Sequence, residues 1–329
     1  MPKQASFFAP GKLFLAGEYA VTFPNGEAII LPVKKGIKVT VVQKKNSSIT
    51  NLQYPNESMK FVWISDITNT YLRLSIEVVR QWMESKKIAW KSFDMTIDST
   101  LVAEHGKYGL GSSGALTVAV IGALLKFYDI TFTPLDLYKL AVIATIQNYQ
   151  ETSFGDVACS SVGQPIHYRK FSLNLLHDIK TLHVQTLMKM DWEGLWLKPI
   201  ENIGLKPVVI YSGQSADSHQ LVKAVKPFIN ANWVTKSNAF IKDLMVSWSH
   251  QGIHQLHLHL SELAKRSKVT LVTEAMVSII HQADLLGGVA KFSGAGGGDC
   301  VLAFLPDDQI KPFHVAMKRH NFLILSDII

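Results

Sequence analysis

Lys107-Tyr108-Gly109-Leu110-Gly111-Ser112-Ser113-Gly114 runs without a break into the apolar stretch Ala115-Leu116-Thr117-Val118-Ala119-Val120-Ile121-Gly122-Ala123-Leu124-Leu125. Glycines and serines placed just before a buried helix predict an anion cradle. Glycine lets the backbone approach a phosphate closely, and the first-turn N–H groups of a helix lack intrahelical partners. A second loop of the same kind, Ser293-Gly294-Ala295-Gly296-Gly297-Gly298-Asp299, lies roughly one domain length downstream. Two such loops point to a molecule that handles phosphates.

The 329 residues suggest two domains. With 47% hydrophobic and 18% charged residues, the chain has material for large cores and is unlike a disordered segment. The formal charge of +7 comes without a dense basic block, since Lys34-Lys35, Lys44-Lys45 and Lys86-Lys87 are only pairs. That pattern suits small anionic substrates, and no nucleic-acid partner is expected. Cys159 and Cys300 read as small hydrophobes of a reduced compartment. The N-terminal residues do not form a signal-peptide core, and the longest apolar stretch falls short of a bilayer. The expectation is a soluble, cytoplasmic protein with no membrane partner.

Alternation of Ile37, Val39 and Val41 with Lys38 and Thr40 places a half-buried strand in a β-rich segment at 5–45. Ile67, Tyr71, Leu74, Val78 and Trp82 have helical spacing. Residues 93–101 alternate again. Thr133-Pro134-Leu135-Asp136 opens a helix, with Thr133 as N-cap and Pro134 in the first turn. Residues 172–205 carry no clear period, and the domain boundary is placed there. Strands at 207–211, 289–292 and 300–305, a helical segment at 216–285, a helix near 308–320 and a strand at 322–326 follow. The fold class is α+β. The expected domains are residues 1–180, carrying the first glycine-rich cradle, and residues 181–329, carrying the second.

Gly109–Gly114 also satisfies G-x-G-x-x-G, and Asp129 lies where a Rossmann ribose acid sits. That reading requires a hydrophobic strand feeding the loop. The residues before it, Glu104-His105-Gly106-Lys107-Tyr108, are polar and glycine-broken. The Walker pattern and the H-R-D and D-F-G elements of protein kinases are absent.

Three further segments change the weighing: Ala9-Pro10-Gly11-Lys12-Leu13-Phe14-Leu15-Ala16-Gly17-Glu18-Tyr19-Ala20-Val21, Ser153-Phe154-Gly155-Asp156-Val157-Ala158, and Ser293–Asp299. With Gly109–Ala115 they resemble the motifs of the GHMP kinases, in order and at family spacing from about residue 8 to residue 305. The wording is nearest to that of bacterial phosphomevalonate kinases. The resemblance implies a two-domain GHMP-kinase fold, with a mixed α/β N-terminal domain, a ferredoxin-like α/β-sandwich C-terminal domain and the active site in the cleft between them. It implies transfer of the ATP γ-phosphoryl group to 5-phosphomevalonate, on the mevalonate route to isoprenoids.

The same resemblance assigns residues. Lys12 neutralises and positions the phosphates, Asp156 orients Lys12 and the acceptor, and Ser113 supports Mg²⁺-ATP. Lys107, Gly109, Leu110, Gly111, Ser112, Ser113, Gly114 and Ala115 form the ATP cradle, with Ser112 either capping the helix or donating to a phosphate. Lys12, Glu18, Tyr19, Ser153, Ser293, Gly294 and Ala295 face the acceptor. Ser113 and Glu151 are the candidate Mg²⁺ ligands, and the family's aspartate serves as the proposed base in its alcohol-phosphorylating members. Two departures bear on acceptor detail. Val33-Lys34-Lys35 stands where the family commonly has Val-Asp-Arg, and Gly163-Gln164-Pro165 where it has Gly-Gly-Trp. Ser212–Ser218 matches a further family segment in part. Kinase action on mevalonate or another small alcohol, and a non-catalytic sensor, are the competing readings. Retention of Lys12, Ser113 and Asp156 together argues against the sensor. His250, His254, His257 and His259 are read as a solvated or partner-facing helix, because no cysteine or paired carboxylate completes a metal site.

Overall fold

The computed structural model describes residues 2–103, 106–147, 152–172, 174–325 and 328. Two long strands organise its first layer. β1 (Gln4–Ala16) and β2 (Glu27–Gln43) are antiparallel from Gln4↔Val42 to Ala16↔Ile29. Their alternating apolar residues, Leu13, Leu15, Ile29, Leu31, Val39 and Val41, are all buried. The register breaks after Pro10↔Gly36 and resumes at Lys12↔Pro32, so Val33, Lys34 and Lys35 oppose Gly11 alone. Such irregularities bend a strand and re-aim its side chains; here the next residue on β1 is Lys12.

β3 (Ser47–Asn51), β4 (Met59–Phe61), β5 (Phe93–Ser99), β8 (Ile166–Arg169) and β9 (Trp196–Pro199) complete the sheet. Among the described residues it has seven strands in the order β4-β3-β5-β2-β8-β9, with β1 paired to β2. β6 (Val102–Ala103) and β7 (Gly106–Lys107) form a separate short hairpin. Of the helices α1 (Thr70–Ser85), α2 (Ser112–Phe127), α3 (Pro134–Gln147) and α4 (Gly155–Val162), α2 and α4 pack on the sheet and α1 and α3 pack on α2. α2 packs on β1, β2, α1, α3 and α4. That explains why it is apolar all round instead of amphipathic. The α3 start holds as expected: Asp136 N donates to Thr133 Oγ1 at 3.1 Å, while Asp136 Oδ2 accepts from Thr133 N at 2.8 Å.

The segment without sequence period forms short elements: α5 (Leu175–Thr181), α6 (Val184–Lys189) and β9. Their Leu187 and Trp192 join the first core, and β9 pairs with β8. β9 thus belongs to the first sheet and β10 (Val208–Tyr211) to a second, so the chain passes from one sheet to the other over residues 200–207. Short elements carry too few residues for a period to register.

The second layer holds β10 (Val208–Tyr211), α7 (Ser218–Val225), α8 (Ala231–Val246), α9 (His250–Ser267), α10 (Glu274–Leu285), β11 (Val289–Phe292), β12 (Cys300–Phe304), α11 (Ile310–Arg319) and β13 (Leu323–Ile324). Its sheet is antiparallel throughout, in the order β11-β12-β10-β13. This is the βαββαβ ferredoxin-like arrangement. Alternate residues serve two cores. Ile210, Ala290, Phe292, Val301 and Ala303 join one cluster, while Val209, Val289, Leu302 and Phe304 join the cluster of the first domain.

Candidate active site

Four segments from both domains meet at Lys12. The backbone of Lys12 donates to Leu110 O at 2.8 Å, and its Nζ donates to Gly109 O at 2.9 Å. The glycine-rich loop is thereby tied to β1 twice. Gly111 has φ +77° and precedes α2 as its N-cap, and a side chain there would meet Lys12 Cγ at 2.9 Å and Asp156 Cβ at 3.2 Å. Both the left-handed backbone and the crowding demand glycine. Ser112 is the first helical residue, and no side chain caps this helix. The first intrahelical bond runs from Ala115 N to Gly111 O, so the N–H groups of Ser112, Ser113 and Gly114 face the cradle end of the helix.

Asp156 stands in the first turn of α4. Its Oδ1 accepts from Val157 N at 2.9 Å. Its Oδ2 lies so near Gly114 that a side chain there would approach to 2.6 Å. Enclosure by protein pushes the Asp156 carboxyl up, and the nearby Lys12 charge pulls it partly back. The preceding Phe154 is fully buried with φ +55°, an uncommon conformation for a bulky residue. It is held by stacking on Phe171, with centroids 5.7 Å apart, and by Lys170 over its ring at 5.3 Å. Lys170 Nζ also donates to Thr152 O at 3.1 Å, and Tyr168 OH to Ser153 O at 2.7 Å. The aspartate loop is thus braced from β8 and the residue that follows it.

From the second domain, Ser293 Oγ accepts from Phe14 N at 2.8 Å, and Tyr19 OH donates to Ala295 O at 2.6 Å. Burial raises the Tyr19 hydroxyl well above the phenol range, which keeps it a donor. Gly294 faces Lys12; a side chain on it would lie 3.9 Å from Nζ. Lys12 therefore stands between the two glycine-rich loops. Glu18 is buried and pairs with Lys291.

Some residues were not singled out from sequence. Asp299 packs on Gly109 and accepts from Ala216 N at 3.2 Å through Oδ1. Burial raises its carboxyl, against the pull of that hydrogen bond and of Lys12. It joins the Ser212–Ala216 segment to the Gly109 loop. Lys170 and Lys291 act as braces whose partners are distant in sequence, so only the fold reveals them. Cys300 Sγ contacts Tyr108 O at 3.3 Å, and burial pushes its thiol up to about 12, as expected of a small hydrophobe. Asp129 is at a surface turn in an ion pair with Lys3, far in role from a ribose acid. Glu151 lies outside the described residues, as do Glu104 and His105.

Among the described residues, no group of three or more His, Cys, Asp or Glu side chains is placed to hold a metal, and no helix is long and apolar enough to cross a membrane. A cavity of about 580 Å³ between Phe8, Leu31, Val33, Ile203 and Leu205 contains none of the predicted site residues.

Family models match in both domains: GHMP kinases N terminal domain over residues 71–164, and GHMP kinases C terminal over residues 244–321, together just over half the chain. The chain belongs to the GHMP kinases. As a GHMP kinase it is a phosphotransferase that uses a nucleotide. A phosphomevalonate kinase from Streptomyces sp. is 26% identical, covering 90% of this chain and 88% of its own. A mevalonate kinase from Thermococcus sibiricus is 24% identical, covering 92% of this chain and 89% of its own. The solved structure of Streptococcus pneumoniae phosphomevalonate kinase in complex with phosphomevalonate and AMPPNP matches this GHMP kinase with a TM-score of 0.88 at 23% identity, covering 98% of this chain and 99% of that one. At that identity the structural likeness establishes the fold.

Proposed function

We propose that this GHMP kinase transfers the γ-phosphoryl group of ATP to the phosphate of 5-phosphomevalonate in the cytoplasm. The observation that carries the reading is the position of Lys12 Nζ, bonded to Gly109 O and facing Gly294. The Lys107-Tyr108-Gly109-Leu110-Gly111-Ser112-Ser113-Gly114 wording and the near full-length match to a phosphomevalonate kinase support the choice of acceptor.

An oxygen of the acceptor phosphate attacks the γ-phosphorus. The bond from the γ-phosphorus to its bridging oxygen breaks, and ADP leaves with that electron pair. A phosphate monoester has its second pKa near 6, so the nucleophile is already ionised at pH 7. The barrier lies in gathering negative charge, which positioned cations and N–H donors relieve. Lys12 takes the bridging position, the N terminus of α2 holds the nucleotide phosphates, and Ser293, Gly294 and Ala295 close over the acceptor with Tyr19 and Ser153. Asp156 orients Lys12 and does not abstract a proton.

The donor set suits Mg²⁺, which prefers hard oxygens, few protein ligands and retained phosphates and waters. Ser113 stands in the first turn of α2 next to Gly114, whose Cα is packed against Asp156 Oδ2. Ser113 would hold the ion, with Glu151 as the further candidate. When bound, Mg²⁺ neutralises the β- and γ-phosphate charge.

A second reading, phosphorylation of mevalonate, rests on the match to mevalonate kinases and on the raised Asp156 carboxyl, which would suit a base acting on an alcohol. Coupled ADP detection across a panel of acceptors decides. Selective turnover with 5-phosphomevalonate is expected. Preference for mevalonate would overturn the acceptor and restore Asp156 as base.

A further inference from the structure

β11 reads Val289-Ala290-Lys291-Phe292, and Lys291 lies opposite Leu302 of β12. Its face of the sheet also carries Val289, so the alternation calls for an apolar side chain there. Instead a lysine is sealed with no exposed surface. An isolated ammonium in such a place costs several kcal/mol unless it is paired and hydrogen-bonded. Lys291 Nζ donates to its neighbour Phe292 O at 2.8 Å and to Glu18 Oε1 of the first domain. Burial raises the Glu18 carboxyl, and Lys291 opposes that shift most strongly.

The pair is one rung of a series. Lys291 meets Glu18, Ser293 meets Phe14, and Ala295 meets Tyr19. Every second residue of 291–295 is tied to the segment 14–19 that continues from Lys12. The rungs at Ser293 and Ala295 are single neutral hydrogen bonds, and the rung at Lys291 is a desolvated charge pair. A charge where packing alone would choose an apolar residue marks a device kept for function.

We propose that Lys291 and Glu18 are positioning residues that set the register of the Ser293–Ala295 loop against Lys12, and so the spacing of the two phosphate-holding loops. The pair touches no reactant. This rests on the phosphoryl-transfer reading above, but not on the identity of the acceptor. It also gives Glu18 a different task from the acceptor contact expected from sequence.

The test compares Lys291→Met, Glu18→Gln, the apolar double variant Lys291→Met/Glu18→Leu and Glu18→Asp, in the full chain. Each is followed by thermal unfolding, by steady-state kinetics with the acceptor that wild type turns over best, and by hydrogen exchange at residues 293–296. Removing one partner leaves a buried polar group unmatched, whereas replacing both is tolerated. Lys291→Met should lower Tm and cut kcat about tenfold or more. The double variant should regain most of the Tm but not the rate, with faster exchange at 293–296. Glu18→Asp keeps the charge, shortens the reach and should lose rate with Tm nearly retained, which covers failure of the other variants to fold. Recovery of both Tm and kcat in the double variant would show packing alone and overturn the proposal. So would a Glu18→Gln variant that raises only the acceptor KM with unchanged exchange. Absence of wild-type turnover with every acceptor would instead defeat the kinase reading, leaving the exchange result to stand by itself.

Discussion

Lys12 and Lys291 are both lysines beside a carboxylate at the same domain junction, yet their surroundings divide their roles. Lys12 is half-buried, donates a hydrogen bond to Gly109 O and faces Gly294, while Asp156 lies beside it across Gly111. Lys291 is sealed, and its bonds go to Glu18 and Phe292 O. A partly solvated ammonium can exchange partners for arriving phosphates. A dry, paired one cannot be released without leaving a naked charge. The contrast teaches that exposure, not residue type, separates the lysine suited to chemistry from the lysine suited to architecture.

The strongest way to break this contrast is Lys12→Met. Turnover should fall by about 10³-fold, as when a principal charge-stabilising donor is lost, with Tm close to wild type. A larger change in Tm than in rate would reverse the roles assigned to the two lysines. Asp156→Asn comes next. Misorientation of Lys12 should cost about 10²-fold in kcat, yet the protein should become more stable at neutral pH. The folded carboxyl is raised above its unfolded value, so the native form holds its proton more tightly. Stability is then full below the unfolded pKa of about 4 and declines as pH rises through the folded value. The Tm advantage of the variant should be small in acid and should grow above that point. A pH-independent difference would remove burial as the cause.

Ser293→Ala sharpens the comparison from the clamp side. It strands the buried Phe14 N–H, a loss of about 1–3 kcal/mol, and should lower Tm by several degrees with a smaller rate loss than either cleft variant. The smallest effect on catalysis belongs to His259→Phe, which lies away from both lysines. His259 stacks on Trp233 at 4.1 Å, and desolvation holds its imidazole down, at about 4. The unfolded imidazole takes its proton near 6.5 while the folded one resists, so stability is lost as pH falls from 6.5 toward 4. The variant should keep wild-type kcat at pH 7 and lose less Tm over that interval.

Much of the cleft was legible because its motifs are local. The turn at Gly111, the apolar α2 and the Thr133–Asp136 cap each depend on residues a few positions apart. Lys12, Gly109, Gly111, Asp156, Ser293 and Gly294 each belong to such a motif, and the fold brings them together. Residues 172–205 resisted reading because α5, α6 and β9 are short, and β9 owes its place to pairing with β8. Ser112 was open to reading as a cap because serine favours that position; a left-handed glycine holds it instead.

Local pattern alone therefore determined the elements around the phosphate loops, the α+β class and the resemblance to GHMP kinases. Backbone conformation and helix starts are governed by neighbours within a turn, so sequence suffices for them. Tertiary structure decided that Asp299 packs on the Gly109 loop, that Lys170 braces the aspartate loop, and that Lys291 reaches Glu18 across 273 positions of chain. Those assignments depend on which groups lose water together, and no run of residues records that.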